Sequence, residues 1–458
     1  MRQIFFNIFF CVIAIVLVVV APPHYSYVFC TAILALYIVQ NIIFWRTKSD
    51  KNLVCFEFFF LIAFGLTNFI YPVVYYPINS TFAIFGLPFN ELIISKSTAI
   101  AFFAYSCYLL GISQIKNEEL VREADYFVFD EKQIKILFFI TMACFFLYAA
   151  TGGLAQLQSV YSGAGDIREV GVFSYLNNLF VVFCYLMLMF NFRQKNKRNM
   201  TIFIIFVLII IVLFLMTGSR THALAFGLIS ITSFGLNVRR FRVFEILSII
   251  IVGVVLMAFV ALARASSVLE GDWLTEAQEK TDFTSSFDLL SDLVTNNRNL
   301  YVLVDYADNV ENTYFTGMIS DISSPVPGLF RLVSENSSLP LELITGGALP
   351  TYLELGEDSA WGLGTNMVGE AYLAFGLWGV VFFFFILGWI IKKTKAAKEY
   401  NIYAYVIYFL FVSHAVFYPR APILYNPRNI VWSLLIIFLF VLFKRIRAGK
   451  SKDEVEQI

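Results

Sequence analysis

The chain has 458 residues, of which 59% are apolar and only 14% are charged, and its 33 basic residues equal its 33 acidic residues. A soluble domain usually carries about 25% charged residues, and a nucleic-acid-binding protein usually carries a basic excess. The composition therefore excludes a soluble enzyme, a disordered chain and a nucleic-acid-binding protein, and it favours a membrane protein.

The first apolar segment, residues 4–20, contains no charged residue. It is longer than the apolar part of a typical signal peptide, and Pro22 and Pro23 follow it in place of a cleavage site. We therefore predict that it is a membrane-spanning helix. Crossing the hydrocarbon takes about 20 mostly apolar residues. The segments that meet or approach this length are 4–21, 25–44, 53–71, 97–115, 134–151, 172–191, 201–216, 221–237, 244–262, 368–391, 401–418 and 429–443.

Basic residues follow every second segment along the chain. Examples are the run Arg193, Lys195, Lys197 and Arg198 and the cluster at 392–398. Loops rich in Lys and Arg stay on the cytoplasmic side of the membrane. The sequence therefore predicts an all-α polytopic membrane protein with about 12 transmembrane helices and both termini in the cytoplasm.

The loop between the ninth and tenth segments, residues 263–367, is far too long for a simple connector. Apolar residues recur with a roughly helical period over 287–306, whereas residues 345–364 are rich in Gly, Ser and acids and predict a mobile loop. We expect a large, partly helical periplasmic loop. The predicted organisation is helices 1–9 in 1–262, the loop at 263–367, helices 10–12 in 368–443 and a basic cytoplasmic tail at 444–458.

The few cations in the predicted outer loops are mostly arginine, whose planar guanidinium can bind phosphate oxygens in pairs. Several of these arginines lie where a predicted helix meets the outer surface, namely Arg220, Arg264, Arg420 and Arg428. This pattern favours a site for the phosphates of a lipid carrier. The alternatives are binding of ordinary lipid headgroups and pairing with acidic residues of the outer loops.

Few acidic residues lie inside the predicted spans, which counts against a proton-coupled transporter. Glu57 lies near a cytoplasmic end, and we expect its side chain to extend toward water. The chain has no GxxxxGK[ST] or HExxH motif, and its cysteines show no CxxC spacing. No two of its three histidines lie four residues apart. We therefore predict no cofactor and no metal.

Short motifs from residue 161 onward indicate a family. They read YSGAGDIREVG at 161–171, LMTGSRTHAL at 215–224, YFTGMISDISSPVPGLF at 314–330 and GLGTNMVGEAYLAFGLWG at 362–379. Because of these motifs, their order along the chain and the predicted topology, residues 134–391 resemble the O-antigen polymerases. These are the enzymes that polymerise the oligosaccharide repeat units of bacterial surface polysaccharides.

Two alternatives stay open beside this resemblance. Thr365-Asn366 stands where the related O-antigen ligases carry a His-Asn signature, which disfavours a ligase. A flippase or transporter of lipid-linked oligosaccharides would often show internal repeats, and none is found here.

The resemblance implies a multi-pass protein of the bacterial inner (cytoplasmic) membrane. It would transfer a growing glycan from undecaprenyl diphosphate to a sugar hydroxyl of the next lipid-linked repeat unit. The lipid diphosphate would be the leaving group, so that no nucleotide is needed. Glycosyltransferases that need a metal ion often place an acidic pair in their first outer loop, and here that loop reads Pro22-Pro23-His24, so a metal-independent enzyme is expected. The implied partners are the undecaprenyl-diphosphate-linked oligosaccharide, the lipid bilayer and a chain-length regulator protein.

Three chemical roles follow from this reaction. Preorganised arginines can stabilise the departing diphosphate, and the candidates are Arg220 first, within its TGSR motif, then Arg264, Arg168, Arg420 and Arg428. A general base must accept the proton of the acceptor hydroxyl, and the candidates are Glu370, Asp166, Glu169, His222 and His414. Sugar-binding candidates are Tyr161, Trp361 and Tyr372. The alternative role for Glu370 is a structural ion pair with one of the arginines, and the alternative for Asp166 and Glu169 is pairing with Arg168 in a solvated loop.

Overall fold

The computed structural model describes residues 2–48, 50, 52–80, 89–115, 131–152, 172–194, 197–216, 220–253, 294–310, 312–356 and 362–455. Within these ranges the regular secondary structure is helical and includes no β-strand. The first set of helices is α1 Arg2–Val19, α2 Tyr27–Thr47, α3 Phe56–Gly65, α4 Ile94–Ser113, α5 Glu131–Ala150, α6 Val172–Gln194, α7 Lys197–Met216, α8 Arg220–Asn237 and α9 Val243–Gly253.

Five helices with polar loops between them follow, and three apolar helices end the described part of the chain. The first five are α10 Asn297–Asn309, α11 Ile319–Ser323, α12 Leu329–Asn336, α13 Leu341–Ile344 and α14 Leu349–Leu355. The three apolar helices are α15 Met367–Ala397, α16 Ile402–His414 and α17 Pro427–Val455. We call the described residues 294–310 and 312–356, which contain α10 to α14, the cap.

The apolar helices occur where the sequence predicts membrane spans. In the described part of the chain, 7 helical segments are long and apolar enough to cross a membrane, and shorter apolar helices occupy the remaining predicted positions. This confirms the prediction of an all-helical, polytopic membrane protein. The number of 12 spans and the side on which each loop lies stay predictions.

Helix α3 continues without a break into a π-helix over Leu66–Tyr75. Its wider turn is visible in the hydrogen bond from the N–H of Tyr76 to the carbonyl oxygen of Tyr71, at 2.9 Å. Pro72 lies inside this segment and lacks the N–H that an α-helical turn would use. Isolated π-helical turns often accompany functional sites, and this one contributes the side chain of Asn68, which contacts Asn366 in the site described below.

The centre of the bundle is formed by α4 packed along α15. A Cβ atom added to Gly111 would lie 2.1 Å from the carbonyl oxygen of Phe385, and one added to Gly388 would lie 2.1 Å from that of Tyr108. Small residues at such crossings allow helix backbones to approach closely inside a membrane. The two glycines therefore set the distance between α4 and α15.

Helix α15 is kinked at Gly376, whose backbone (φ 59°, ψ −143°) is accessible almost only to glycine. The kink frees carbonyl groups of the preceding turn from their helical partners. The N–H of Thr313 donates to the carbonyl oxygen of Leu373, and the N–H of Tyr314 donates to that of Ala374, each at 3.0 Å. The cap therefore supplies hydrogen-bond donors to the α15 carbonyl groups that precede the kink.

At the end of the bundle away from the cap, Glu57 is buried, with 3% of its surface exposed. Its carboxylate accepts hydrogen bonds from Nζ of Lys395 at 2.9 and 3.2 Å, and Nζ of Lys48 lies 3.6 Å away. The expectation that Glu57 extends toward water is therefore wrong. The two lysines reach the carboxylate inside the bundle. Their positive charges stabilise it in place of the water from which it is buried.

The cap covers one end of the bundle. Asn297 donates from Nδ2 to the carbonyl oxygen of Thr67 at 2.8 Å, which joins α10 to the π-helix. Within the predicted mobile loop at 345–364, the structure contains α14, so that prediction is wrong for this part. Leu349 packs with Leu303 and Leu373, and this apolar contact, absent from the local sequence, stabilises the helix.

Candidate functional site

Glu370 lies in the first turn of α15, at the capped end of the bundle. The preceding Asn366 caps the helix, because its side-chain oxygen accepts from the N–H groups of Val368 at 3.0 Å and Gly369 at 3.4 Å. Its Nδ2 donates to Oδ1 of Asn68 in the π-helix at 3.0 Å. Asn366 therefore fixes both the start of the helix and its position against the bundle.

The Glu370 carboxylate is held by backbone groups. The N–H of Ile423 donates to Oε2 at 3.3 Å, and the N–H of Gly347 also hydrogen-bonds the carboxylate. Within the described residues 294–310, 312–356 and 362–455, no arginine forms an ion pair with Glu370. The structure therefore gives no support, within these ranges, to the alternative that Glu370 serves only as a structural ion-pair partner.

A small cavity of about 30 Å³ lies beside Glu370, which is room for about one water molecule. Its polar lining includes Glu342 and Thr345, and Tyr314 closes part of it. The Oγ1 atom of Thr345 is buried and has no hydrogen-bond partner. Tyr314 adopts a left-handed backbone (φ 52°), which is unfavourable for an aromatic residue and often occurs near functional sites.

A second carboxyl group, that of Asp321 in α11, lies close to Glu370. It packs against Gly346, where an added Cβ atom would lie 2.6 Å from Oδ2 of Asp321. Burial, and then the neighbouring Glu370, raise the pKa of Asp321 to about 8. Asp321 is missing from the candidates drawn from the sequence. The available signal is that it is the only acidic residue in the motif at 314–330.

Tyr372 contacts an ion pair next to the cap. Its hydroxyl donates to Oδ1 of Asp308 at 2.8 Å, while Nζ of Lys96 lies 2.5 Å from Oδ2 of the same carboxylate. Nζ of Lys96 also lies 5.7 Å from the centre of the Tyr372 ring. Tyr372 thus joins α15 to the start of α4 and to α10, and its role in binding sugar stays a prediction.

Arg428 holds the cap against the ends of α6 and α17. Its Nε donates to the carbonyl oxygen of Ser324 at 2.8 Å, and its guanidinium lies 4.8 Å from the centre of the Tyr175 ring. One turn further, Nε1 of Trp432 donates to the carbonyl oxygen of Pro325 at 2.7 Å. At least one of the arginines predicted to bind phosphate therefore has a structural contact with the cap.

Arg420 lies in the loop that contacts Glu370. It ends the 3-10 turn Tyr418–Arg420, and its guanidinium lies 5.9 Å from the centre of the Phe417 ring. Ile423, whose N–H donates to Glu370, follows three residues later. The structure therefore brings Arg420 and Glu370 to the same end of the bundle, as the sequence predicts.

The two candidate histidines do not line the cavity beside Glu370. His414 is 5% exposed, and its Nδ1 lies 2.9 Å from the carbonyl oxygen of Leu410 in its own helix. The ring of His222 stacks on Phe214, with 4.9 Å between the ring centres. Their assignment as bases stays a prediction.

Arg220 is the first residue of α8. The remaining candidates lie outside the described residues: Tyr161, Asp166, Arg168, Glu169, Arg264 and Trp361. In the part of the chain that the structure describes, no group of three or more His, Cys, Asp or Glu side chains is placed to hold a metal ion.

The fold and the site together define a multi-pass membrane protein in which a carboxyl group of a helical cap neighbours one at the start of a membrane helix. A family model described as O-antigen polysaccharide polymerase Wzy matches residues 3–452, nearly the whole chain, and the protein belongs to this family. It is therefore an enzyme of O-antigen polysaccharide synthesis in a membrane, and the resemblance drawn from the motifs is confirmed. Comparison with curated proteins and with solved structures gives no match.

Proposed function

We propose that this enzyme joins lipid-linked repeat units by glycosyl transfer, with the lipid diphosphate as the leaving group and without a metal ion. In this proposal the cap faces the periplasm, both termini are cytoplasmic and the protein lies in the bacterial inner membrane. The growing glycan on undecaprenyl diphosphate is the donor, and a sugar hydroxyl of the next repeat unit is the acceptor. A chain-length regulator is the protein partner that the family assignment suggests.

The observation that carries this proposal is the position of Glu370. The acceptor hydroxyl must lose its proton as its oxygen bonds to the anomeric carbon, and a carboxylate within hydrogen-bond reach can accept that proton. At the same time the bond from the anomeric carbon to the diphosphate oxygen breaks, and its electron pair stays on the diphosphate. Glu370 lies at the start of a rigid membrane helix, beneath the cap and beside a cavity.

Arginine is suited to the charge that develops on the diphosphate, because its guanidinium can bind two phosphate oxygens at once. Arg420 is the candidate in the loop that contacts Glu370, and Arg220 is the candidate in the TGSR motif. Arg428 already bonds the cap through Nε, so we assign it the role of positioning the cap. Arg168 and Arg264 remain further candidates for the diphosphate.

The proposal is tested by restoring polymerisation in a strain that lacks the gene. Glu370→Gln keeps the shape of the side chain but removes the base, and loss of a general base typically costs about 10²–10⁴-fold in rate. We expect the surface glycan of this strain to stop at one repeat unit while the variant protein remains in the membrane at the wild-type amount.

Glu335→Gln is the matched control, because Glu335 is an exposed cap residue whose carboxylate pairs with Arg331. This variant should restore the full ladder of glycan lengths. A full ladder in the Glu370→Gln strain would contradict the role of Glu370. Long glycans in the strain without the gene would contradict the polymerase function as a whole.

A further inference from the structure

Two carboxyl groups from distant parts of the chain lie near each other at the cap: Glu370 lines the cavity, and Asp321 packs against Gly346, which lines the same cavity. Asp321 comes from α11, and Glu370 comes from the first turn of α15. Asp321 is largely buried, and Glu370 is the charged group that interacts with it. Gly346 lies against the Asp321 carboxyl group and lines the same cavity as Glu370.

The loop between α13 and α14 is shaped to hold Asp321. A Cβ atom on residue 346 would lie 2.6 Å from Oδ2 of Asp321 and 3.2 Å from the carbonyl oxygen of Gly317, so only glycine fits without movement. The N–H of Gly346 donates to Oγ of Ser320 at 2.9 Å, which fixes the loop against α11. The preceding Thr345 places an unpartnered, buried Oγ1 atom at the cavity.

The cavity lining adds a further anion to this pair, and the loop whose Ile423 N–H donates to Glu370 also carries the cation Arg420. Glu342 of α13 also lines the cavity, and α10 contributes the apolar Leu303. From α17, Arg428 reaches the carbonyl oxygen of Ser324 instead of a carboxyl group. Across the described cap and α15 to α17, neither Asp321 nor Glu370 forms an ion pair. Two neighbouring carboxyl groups that have no ion-pair partner cannot both ionise easily, so the pair keeps a proton.

We propose that Asp321 and Glu370 work as one acid–base unit that holds a single proton at neutral pH, with Asp321 as the protonated, positioning member. Glu370 is then the anionic member that accepts the proton of the acceptor hydroxyl. After transfer the pair carries two protons and returns one to water through the cavity. This inference rests on the proposed glycosyl transfer.

The pH dependence of polymerisation tests this pair. Since the pKa of Asp321 is raised to about 8, its proton is present below that pH and is lost as the pH rises through it. Two adjacent anions would then repel each other and the diphosphate. With purified full-length enzyme and a defined lipid-linked repeat unit, we expect kcat/KM to fall above about pH 8, by about tenfold for each further pH unit.

Asp321→Asn mimics the protonated carboxyl group and cannot ionise. We expect its kcat/KM, relative to its own value at pH 7, to lose the alkaline fall, while Glu335→Gln keeps the wild-type profile. A merely structural role would lower activity equally at every pH. An alkaline fall in Asp321→Asn that is as steep as that of the wild-type enzyme would overturn the pair and leave the polymerase function intact.

A second measurement does not depend on the variant folding. Infrared titration of the wild-type enzyme should show a protonated carboxyl group at pH 7 that disappears with a midpoint near pH 8. The absence of such a group at pH 7 would also overturn the inference. In contrast, a folded wild-type enzyme that forms no polymer from the repeat unit at any pH would contradict the proposed function itself.

Discussion

Gly388→Ala is expected to separate the two central helices of the bundle. The added Cβ atom would lie 2.1 Å from the carbonyl oxygen of Tyr108, and contacts below 3.0 Å are essentially never seen, so the helices must move apart by at least about 0.9 Å. The obstructing atoms belong to the α4 backbone, and no change of side-chain rotamer relieves the clash.

The cost follows from two opposing terms. Overpacking a well-packed core costs about 1–3 kcal/mol, and a backbone clash belongs at the upper end of that range. Alanine recovers about 1 kcal/mol because it favours a helix more than glycine does. We therefore expect Gly388→Ala to lower the free energy of unfolding by about 2 kcal/mol. This should lower the Tm of the purified protein in detergent by on the order of a few °C.

Gly227→Ala in α8 is the matched control. An added Cβ atom at this position meets nothing within 4 Å, so only the gain in helix propensity remains, and the Tm should stay equal or rise. Gly111→Ala, on the other side of the same crossing, should behave like Gly388→Ala because its Cβ atom would also lie 2.1 Å from a carbonyl oxygen. Equal Tm values for Gly388→Ala and Gly227→Ala would refute the close approach of α4 and α15.

Two further predictions concern the end of the bundle away from the cap and the sides of the membrane. Glu57→Gln removes the nearer anion of the largely buried Lys395 and leaves it only Asp50 at 3.6 Å; removing one partner of a buried pair costs about 3–5 kcal/mol, so the Tm should fall well below that of the control Glu245→Gln, which removes a partly exposed ion pair. Equal Tm values would contradict the importance of the buried pair. A membrane-impermeant maleimide applied from the periplasmic side should label Ser337→Cys in the cap but not Glu399→Cys. The reverse labelling would reject the proposed topology.

The positions of the membrane helices could be predicted because they depend on local sequence. Any helix in lipid needs a long apolar run, so the run at 4–20 is visible before any contact is known. The partners of a helix depend on residues far away in the sequence. The expectation for Glu57 was wrong for this reason, since nothing near residue 57 indicates that Lys395 lies beside it.

The candidate site was predictable to a similar extent. Glu370 could be chosen because it stands at the predicted outer end of a span, and the structure places it beneath the cap. Asp321 could not be paired with it, because the contact depends on the loop at Gly346. Arg428 has the residue type and position of a phosphate ligand, but the fold brings Ser324 to its Nε. Residue type therefore indicates the available chemistry, and only the fold decides which partner is present.

The kink at Gly376 divides α15 into two helical segments, one before residue 375 and one after residue 376. The part before the kink is clamped by Asn68 on one side and by the backbone of Thr313 and Tyr314 on the other. The part after it is packed on α4. A change in the tilt of the lower part, such as a thicker bilayer demands, can therefore be absorbed at Gly376 without moving Glu370. The kink therefore separates the part of α15 that carries Glu370 from the part that packs on α4.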